Sequence, residues 1–248
     1  MGFFGSLFKS TPKLADRNFI NPITTEFHSH LLPAIDDGVR TFDESLIVLQ
    51  TMADMGYKKV ITTPHIMGDF YKNGFHNIPD LCKQLQLQLK DKNISIELHA
   101  AAEYMVDDAL ETKIKNNDLL TFGDNHILVE LPFTEEPANF KQILFDLQVN
   151  GYKPVLAHPE RYGYMAQRKT KYEELYQAGI LFQVNLFSLV GYYSKEVQKS
   201  AEWLIANKMV HMVGSDTHGP RHLDVLQAVV RSHNYQKVCE LPLLNNTL

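Results

Sequence analysis

Cysteine is nearly missing from this chain: its 248 residues hold only Cys82 and Cys239, far apart and without CxxC spacing. Neither a disulfide framework nor a cysteine zinc site is therefore expected, and a reducing cytoplasm fits best. Long apolar runs are lacking as well. No stretch of 18 such residues occurs, and the N-terminus carries no signal-peptide pattern, so no membrane span or export leader is expected. Positive charge is not in excess either. A net charge of -5 argues against nucleic acid held over a broad basic face, although a local basic pocket stays open. Internal repeats and low-complexity segments are missing too. What remains is an ordinary globular composition, 44% hydrophobic and 21% charged, of a length that one α/β barrel fills with a single core.

From position 24 onward, short β-rich runs alternate with helical patterns, an order that predicts a parallel sheet or barrel. The strand candidates are 24–28, 59–63, 95–101, 126–131, 154–158, 181–185 and 210–214, seven in all. Thr41 and Glu44 have capping-box spacing ahead of an apolar stripe of Leu46, Leu49 and Met52, and Gly56 can end that helix. Helices over 139–150 and 171–178 stop in the same way at Gly151 and Gly179. The connection 66–78, rich in Gly, Asn and aromatics, reads as a mobile loop over a site.

Histidines and carboxylates gather where these strand candidates end. The first ends in His28-Ser29-His30, with Asp36 and Asp37 soon after, and the second in Pro64-His65. The third runs into Glu103, the fourth carries Glu130, the fifth ends in His158-Pro159-Glu160-Arg161, and the seventh in Ser215-Asp216-Thr217-His218. In a parallel barrel all carboxyl ends share one face, so scattered residues converge there. Such groups, brought together, repel or titrate unless divalent cations compensate them, and mixed N and O donors suit zinc, manganese or iron. An isolated HxH is a weak signal. Asp36 reads as a turn residue, and His76, His99, His211 and His233 as surface or hydrogen-bonded side chains. Glu130, a carboxylate in an apolar strand, needs a partner.

Taken in order, HSH, Asp37, TPH, AAEY, LVEL, AHPER and GSDTH resemble the polymerase and histidinol phosphatase (PHP) superfamily. The likeness is most specific to the bacterial manganese-dependent protein tyrosine phosphatases of capsule and exopolysaccharide operons. It divides the chain into an extension, 1–24, outside the match and a PHP phosphoesterase domain, 25–248. The resemblance implies a distorted (β/α)7 TIM-like barrel, in line with the seven strands counted above. It implies three metal ions, manganese first, with iron or zinc accepted by the same donors. His28, His30, Glu103 and Asp216 would hold one; Glu103, Glu130 and His158 a second; Asp37, His65 and His218 a third. Arg161, and Arg221 after a loop shorter than in relatives, would contact phosphate as catalytic residues. Glu26 replaces the Asp of many relatives, a change expected to matter little.

The implied reaction is phosphotyrosine hydrolysis by a metal-bound hydroxide. Neither cysteine has an arginine six residues on, Gln88 and Asn245 standing there instead, so a thiolate nucleophile is not expected. Phe133, Tyr162 and Tyr164 are candidates to flank an aromatic substrate. A small-molecule phosphomonoesterase acting on histidinol phosphate, a sugar phosphate or a nucleotide is the first alternative, and a non-catalytic metal-binding module the second. The implied partner is a membrane-associated tyrosine autokinase. Phe3, Phe4, Leu7 and Phe8 read as a docking helix for that kinase or the membrane, or as a floppy tag. Relatives form rings, so a homo-oligomer is open, though no segment of the sequence marks its interface.

Overall fold

A computed structural model describes residues 21–248. The proposed docking residues Phe3, Phe4, Leu7 and Phe8 lie outside them. Residues 21–24, by contrast, pack onto the domain. Asn21 and Ile23 are buried, Asn21 Oδ1 accepts from the Tyr235 hydroxyl, and the Thr24 N–H donates to Asn246 Oδ1 at 2.8 Å.

Nine strands form among the described residues: β1 (Thr25–Phe27), β2 (Lys59–Thr62), β3 (His65–Ile66), β4 (Glu97–Ala100), β5 (Glu103–Met105), β6 (His126–Glu130), β7 (Lys153–Ala157), β8 (Leu181–Asn185) and β9 (Met212–Gly214). Seven of them answer to the expected strands, whereas β3 and β5 lie just beyond the bounds expected for the second and third, 59–63 and 95–101. Pro64, which has no N–H to give a ladder, separates β2 from β3, and Ala101-Ala102 separates β4 from β5. Every ladder is parallel. One sheet has the order β1-β2-β4, and the two additional strands join a second in the order β3-β5-β6-β7-β8-β9. Together they form the expected distorted barrel. Its interior is filled by Phe27, Ile61, Ala101, Leu128, Val155, Ala157 and Met212, with Phe122, Leu244 and Leu248 packed against them.

Helices α1 (Phe42–Asp54), α2 (Ile78–Asp91), α3 (Asp108–Asn116), α4 (Phe140–Val149), α5 (Gly163–Ala166), α6 (Lys169–Gln177), α7 (Lys195–Ala206), α8 (Leu223–Val229) and α9 (His233–Cys239) connect the strands. Thr41 caps α1 by accepting from the Glu44 N–H, as its spacing predicts, and Glu44 reaches back to the Arg40 N–H at 2.7 Å. Gly56 ends the turn after α1 at φ +95°, a region that a side chain would strain. No described helix is long and apolar enough to cross a membrane.

Between β1 and β9 the ring is sealed largely by side chains. Asn245, buried near the C-terminus, accepts from the Val213 N–H (3.0 Å) and donates to Val213 O (2.8 Å) and Thr25 O (3.0 Å). The buried carboxyl of Glu26 accepts from both the N–H (2.7 Å) and the hydroxyl (2.8 Å) of Ser215. A Cβ on Gly214 would lie 1.7 Å from Phe27 O, so only glycine lets the strands approach this closely. Replacing Asn245 by alanine leaves three backbone groups of the seam without partners. The expected cost is about 2–4 kcal/mol, read as a lower urea midpoint with little change in slope. A midpoint equal to that of the parent would refute the sealing role.

Candidate metal centre

The centre stands at the carboxyl ends of the strands. Parallel register puts His65 of β3 beside Glu103 of β5, and Met105 of β5 beside Glu130 of β6. Across the seam, the Asp216 N–H donates to His28 O (2.7 Å) and the His30 N–H to Thr217 O (2.9 Å), beside a single parallel bridge between Ser29 and Thr217. These bonds bring Asp216 against both histidines of the HSH motif. His28, His158 and Asp216 hold positive φ angles of 85°, 33° and 54°. Non-glycine residues in that region cost about 1–3 kcal/mol each, and such strain concentrates at functional sites.

Three overlapping groups have donor atoms within 4.8 Å of one another: His28, His30, Glu103 and Asp216; His30, Asp37, His65 and His218; and His65, Glu103 and Glu130. The first has the membership the resemblance implies. The second adds His30 to the expected Asp37, His65 and His218. The third contains His65 where His158 was expected, yet His158 stands beside it, its Nε2 3.3 Å from Glu103 Oε1 and 3.5 Å from Glu130 Oε1. Glu103 lies at the centre, with imidazole nitrogens of His28, His30, His65 and His158 at 3.1 to 3.3 Å.

Hydrogen bonding shows what these atoms await. His28 Nδ1 lies 2.8 Å from Gln183 Oε1, and Gln183 Nε2 donates to Val184 O, which orients the amide. His30 Nδ1 lies 2.8 Å from Asp36 Oδ2. Because both partners are acceptors, each Nδ1 carries the proton and each Nε2 turns a lone pair toward the Glu103 and Asp216 carboxylates. Lone pairs facing carboxylates need a positive charge between them. Neither Nε2 has a hydrogen-bond partner, nor does His65 Nδ1 or either oxygen of Glu103, though all are buried. Divalent cations fit that donor set. Without them protons must serve: burial opposes charge on His28, but Glu103 and Asp216 outweigh it and raise its pKa. Glu130 is pushed well above the usual carboxylate range by burial and by the Glu103 charge.

Asp36 does more than make the expected turn. Its carboxylate accepts from the Gly38 N–H and the His65 N–H as well as from His30, so it orients two donors at once. Gln183 plays the corresponding role for His28, and Asn185 donates to Asp216 Oδ2 at 3.2 Å. Nothing in the sequence marked these two polar strand residues beyond their place in an apolar run. Arg161 donates to Asp216 Oδ2 at 2.7 Å and sits between the rings of Phe133 and Tyr193, its Cζ 4.8 Å and 4.2 Å from their centroids. Arg221 is exposed on a short turn and makes no ion pair among the described residues. Tyr162 is fully buried with its hydroxyl accepting from the Leu131 N–H, and Tyr164 donates to Pro132 O, so both serve packing rather than the mouth. Instead of lying free over the site, segment 66–78 is tied to it: Tyr71 stacks on the His65 ring at 5.7 Å, and the Asn73 amide donates to Ile35 O and His65 O.

Residues 24–238 match the family described as capsular polysaccharide synthesis, CpsB/CapC. The tyrosine-protein phosphatase YwqE of Bacillus subtilis is 30% identical over 194 residues, covering 78% of this chain and 76% of that one. Tyrosine-protein phosphatase CpsB of Streptococcus pneumoniae is 26% identical over 200 residues, covering 78% and 82%. Among solved structures, one from a crystallographic study of YwqE and CpsB, described as unique metal-dependent tyrosine phosphatases, superposes with a TM-score of 0.77 at 27% identity. It covers 89% of this chain and 94% of that one. The histidinol phosphate phosphatase of Lactococcus lactis shares the fold at a TM-score of 0.54 and 13% identity, covering 84% and 93%. The branch that the motifs resemble is thus the one found, and this chain belongs to the CpsB/CapC family.

Proposed function

We propose that this chain is a metal-dependent protein-tyrosine phosphatase, working in the cytoplasm on a tyrosine autokinase that controls capsule or exopolysaccharide synthesis. The observation that carries the reading is the convergence of five imidazoles and four carboxylates, with partnerless buried donor atoms, beside a fixed arginine. The metal-dependent tyrosine phosphatases YwqE and CpsB among its relatives support it. His28, His30, Asp37, His65, Glu103, Glu130, His158, Asp216 and His218 would hold three cations, manganese first. When bound, these supply acidified water and positive charge for the phosphoryl oxygens. Arg161 keeps one nitrogen on Asp216 and has further N–H groups for the phosphoryl group, a fork that binds and orients it. Ordering by Phe133 and Tyr193 lowers the entropy that this contact costs.

The test is turnover of p-nitrophenyl phosphate and a phosphotyrosine peptide with and without added manganese. Manganese-dependent hydrolysis of both is expected, with Arg161→Ala lowering kcat/KM by roughly 10²- to 10³-fold. Metal content measured alongside separates lost phosphate contact from lost cation. Activity on histidinol phosphate or sugar phosphates alone would replace the reading with a metabolic phosphatase. Inactivity with every metal would leave a binding module.

A further inference from the structure

Phe133 is an exposed aromatic side chain directly beside the centre. It follows Glu130 by three residues at the end of β6, is 48% exposed, and lies 5.8 Å from the His158 ring at 17° between planes. The Tyr162 ring lies at 5.6 Å and the Arg161 guanidinium above its face. An apolar ring held by three neighbours and still about half exposed has a defined surface to offer. That surface is one guanidinium away from where the phosphoryl group would bind. The group esterified to that phosphate therefore lies within about one ring's breadth of Phe133, close enough for the offset or edge contact that aromatic pairs prefer.

From this geometry we infer that Phe133 determines specificity, selecting aryl over alkyl phosphomonoesters by packing against the ester's ring. The inference rests on the proposed function and adds to it the residue that reads the leaving group. A second aromatic ring, Tyr71, stacks on the His65 imidazole of the same centre. An alkyl ester presents less area to the ring and gains less from it.

Binding of phenylphosphonate and methylphosphonate to the manganese-loaded protein tests the inference without turnover. The parent protein is expected to bind the phenyl compound about tenfold more tightly, from buried area plus the aromatic contact. Phe133→Ala should bring the two within about twofold, and Phe133→Tyr should restore the preference. Equal affinity in the parent, or a preference unchanged in Phe133→Ala, would overturn it. Because binding is the readout, failure of the protein to hydrolyse any ester would sink the proposed phosphatase and still leave the role of Phe133 decided.

Discussion

Glu103→Gln is expected to lower metal-dependent hydrolysis by roughly 10³-fold or more, together with a fall in bound metal. Four histidines from three different strand ends converge on this one carboxylate, which belongs to two of the three donor groups. Although burial opposes ionisation, the His28 and His65 imidazoles hold the Glu103 carboxyl well below its usual range, so it is charged at neutral pH. An amide of the same shape removes that charge and turns donors toward nitrogens that need a cation. Because the shape is kept, the far-ultraviolet circular dichroism should match that of the parent. Full metal content with activity within tenfold of the parent would show that Glu103 bridges nothing.

Stripping the metal with a chelator should lower the thermal midpoint by roughly 10 °C, since occupancy at about 1,000 times Kd is worth about 4 kcal/mol and each kcal/mol moves a domain of this size by about 2–4 °C. The physical reason is repulsion: the Glu103 and Glu130 carboxylates are buried together, and without cations one of them takes up a proton. Readdition of manganese should restore the midpoint. Cation binding must displace that proton, so affinity falls as pH falls. The displaced proton makes calorimetric heats depend on the buffer's own ionisation enthalpy. A midpoint indifferent to chelator and manganese would mean that the cluster is satisfied by protons alone.

Much of this architecture was legible because apolar strands bounded by turns leave strong marks. All seven strand candidates correspond to real strands, and Gly56, Gly151 and Gly179 sit at positive φ where helices were expected to stop. The short strands β3 and β5 were not legible, because two or three residues that resume pairing after Pro64 or Ala101-Ala102 carry no periodicity of their own. Asp36 was legible only as the turn it does make: Asp-Asp-Gly satisfies a turn locally, and the added bond to His30 depends on where β1 ends in space. Asn245 had no signal at all, since a lone asparagine near the C-terminus resembles any surface residue until its three backbone partners are known.

That same asparagine sets a timetable for folding. Its amide ties strands whose partners lie 220 and 32 residues earlier in the chain. During synthesis the outer edge of the first strand therefore lacks this partner until residue 245 has left the ribosome. Helical segments and neighbouring parallel strands can form meanwhile, but ring closure belongs to the final step, where long-range contacts make folding slow and exposed edges invite association. Slippage during that interval, rather than weakness of the finished barrel, is where a damaged seam would first show, as insoluble protein from an otherwise intact reading frame.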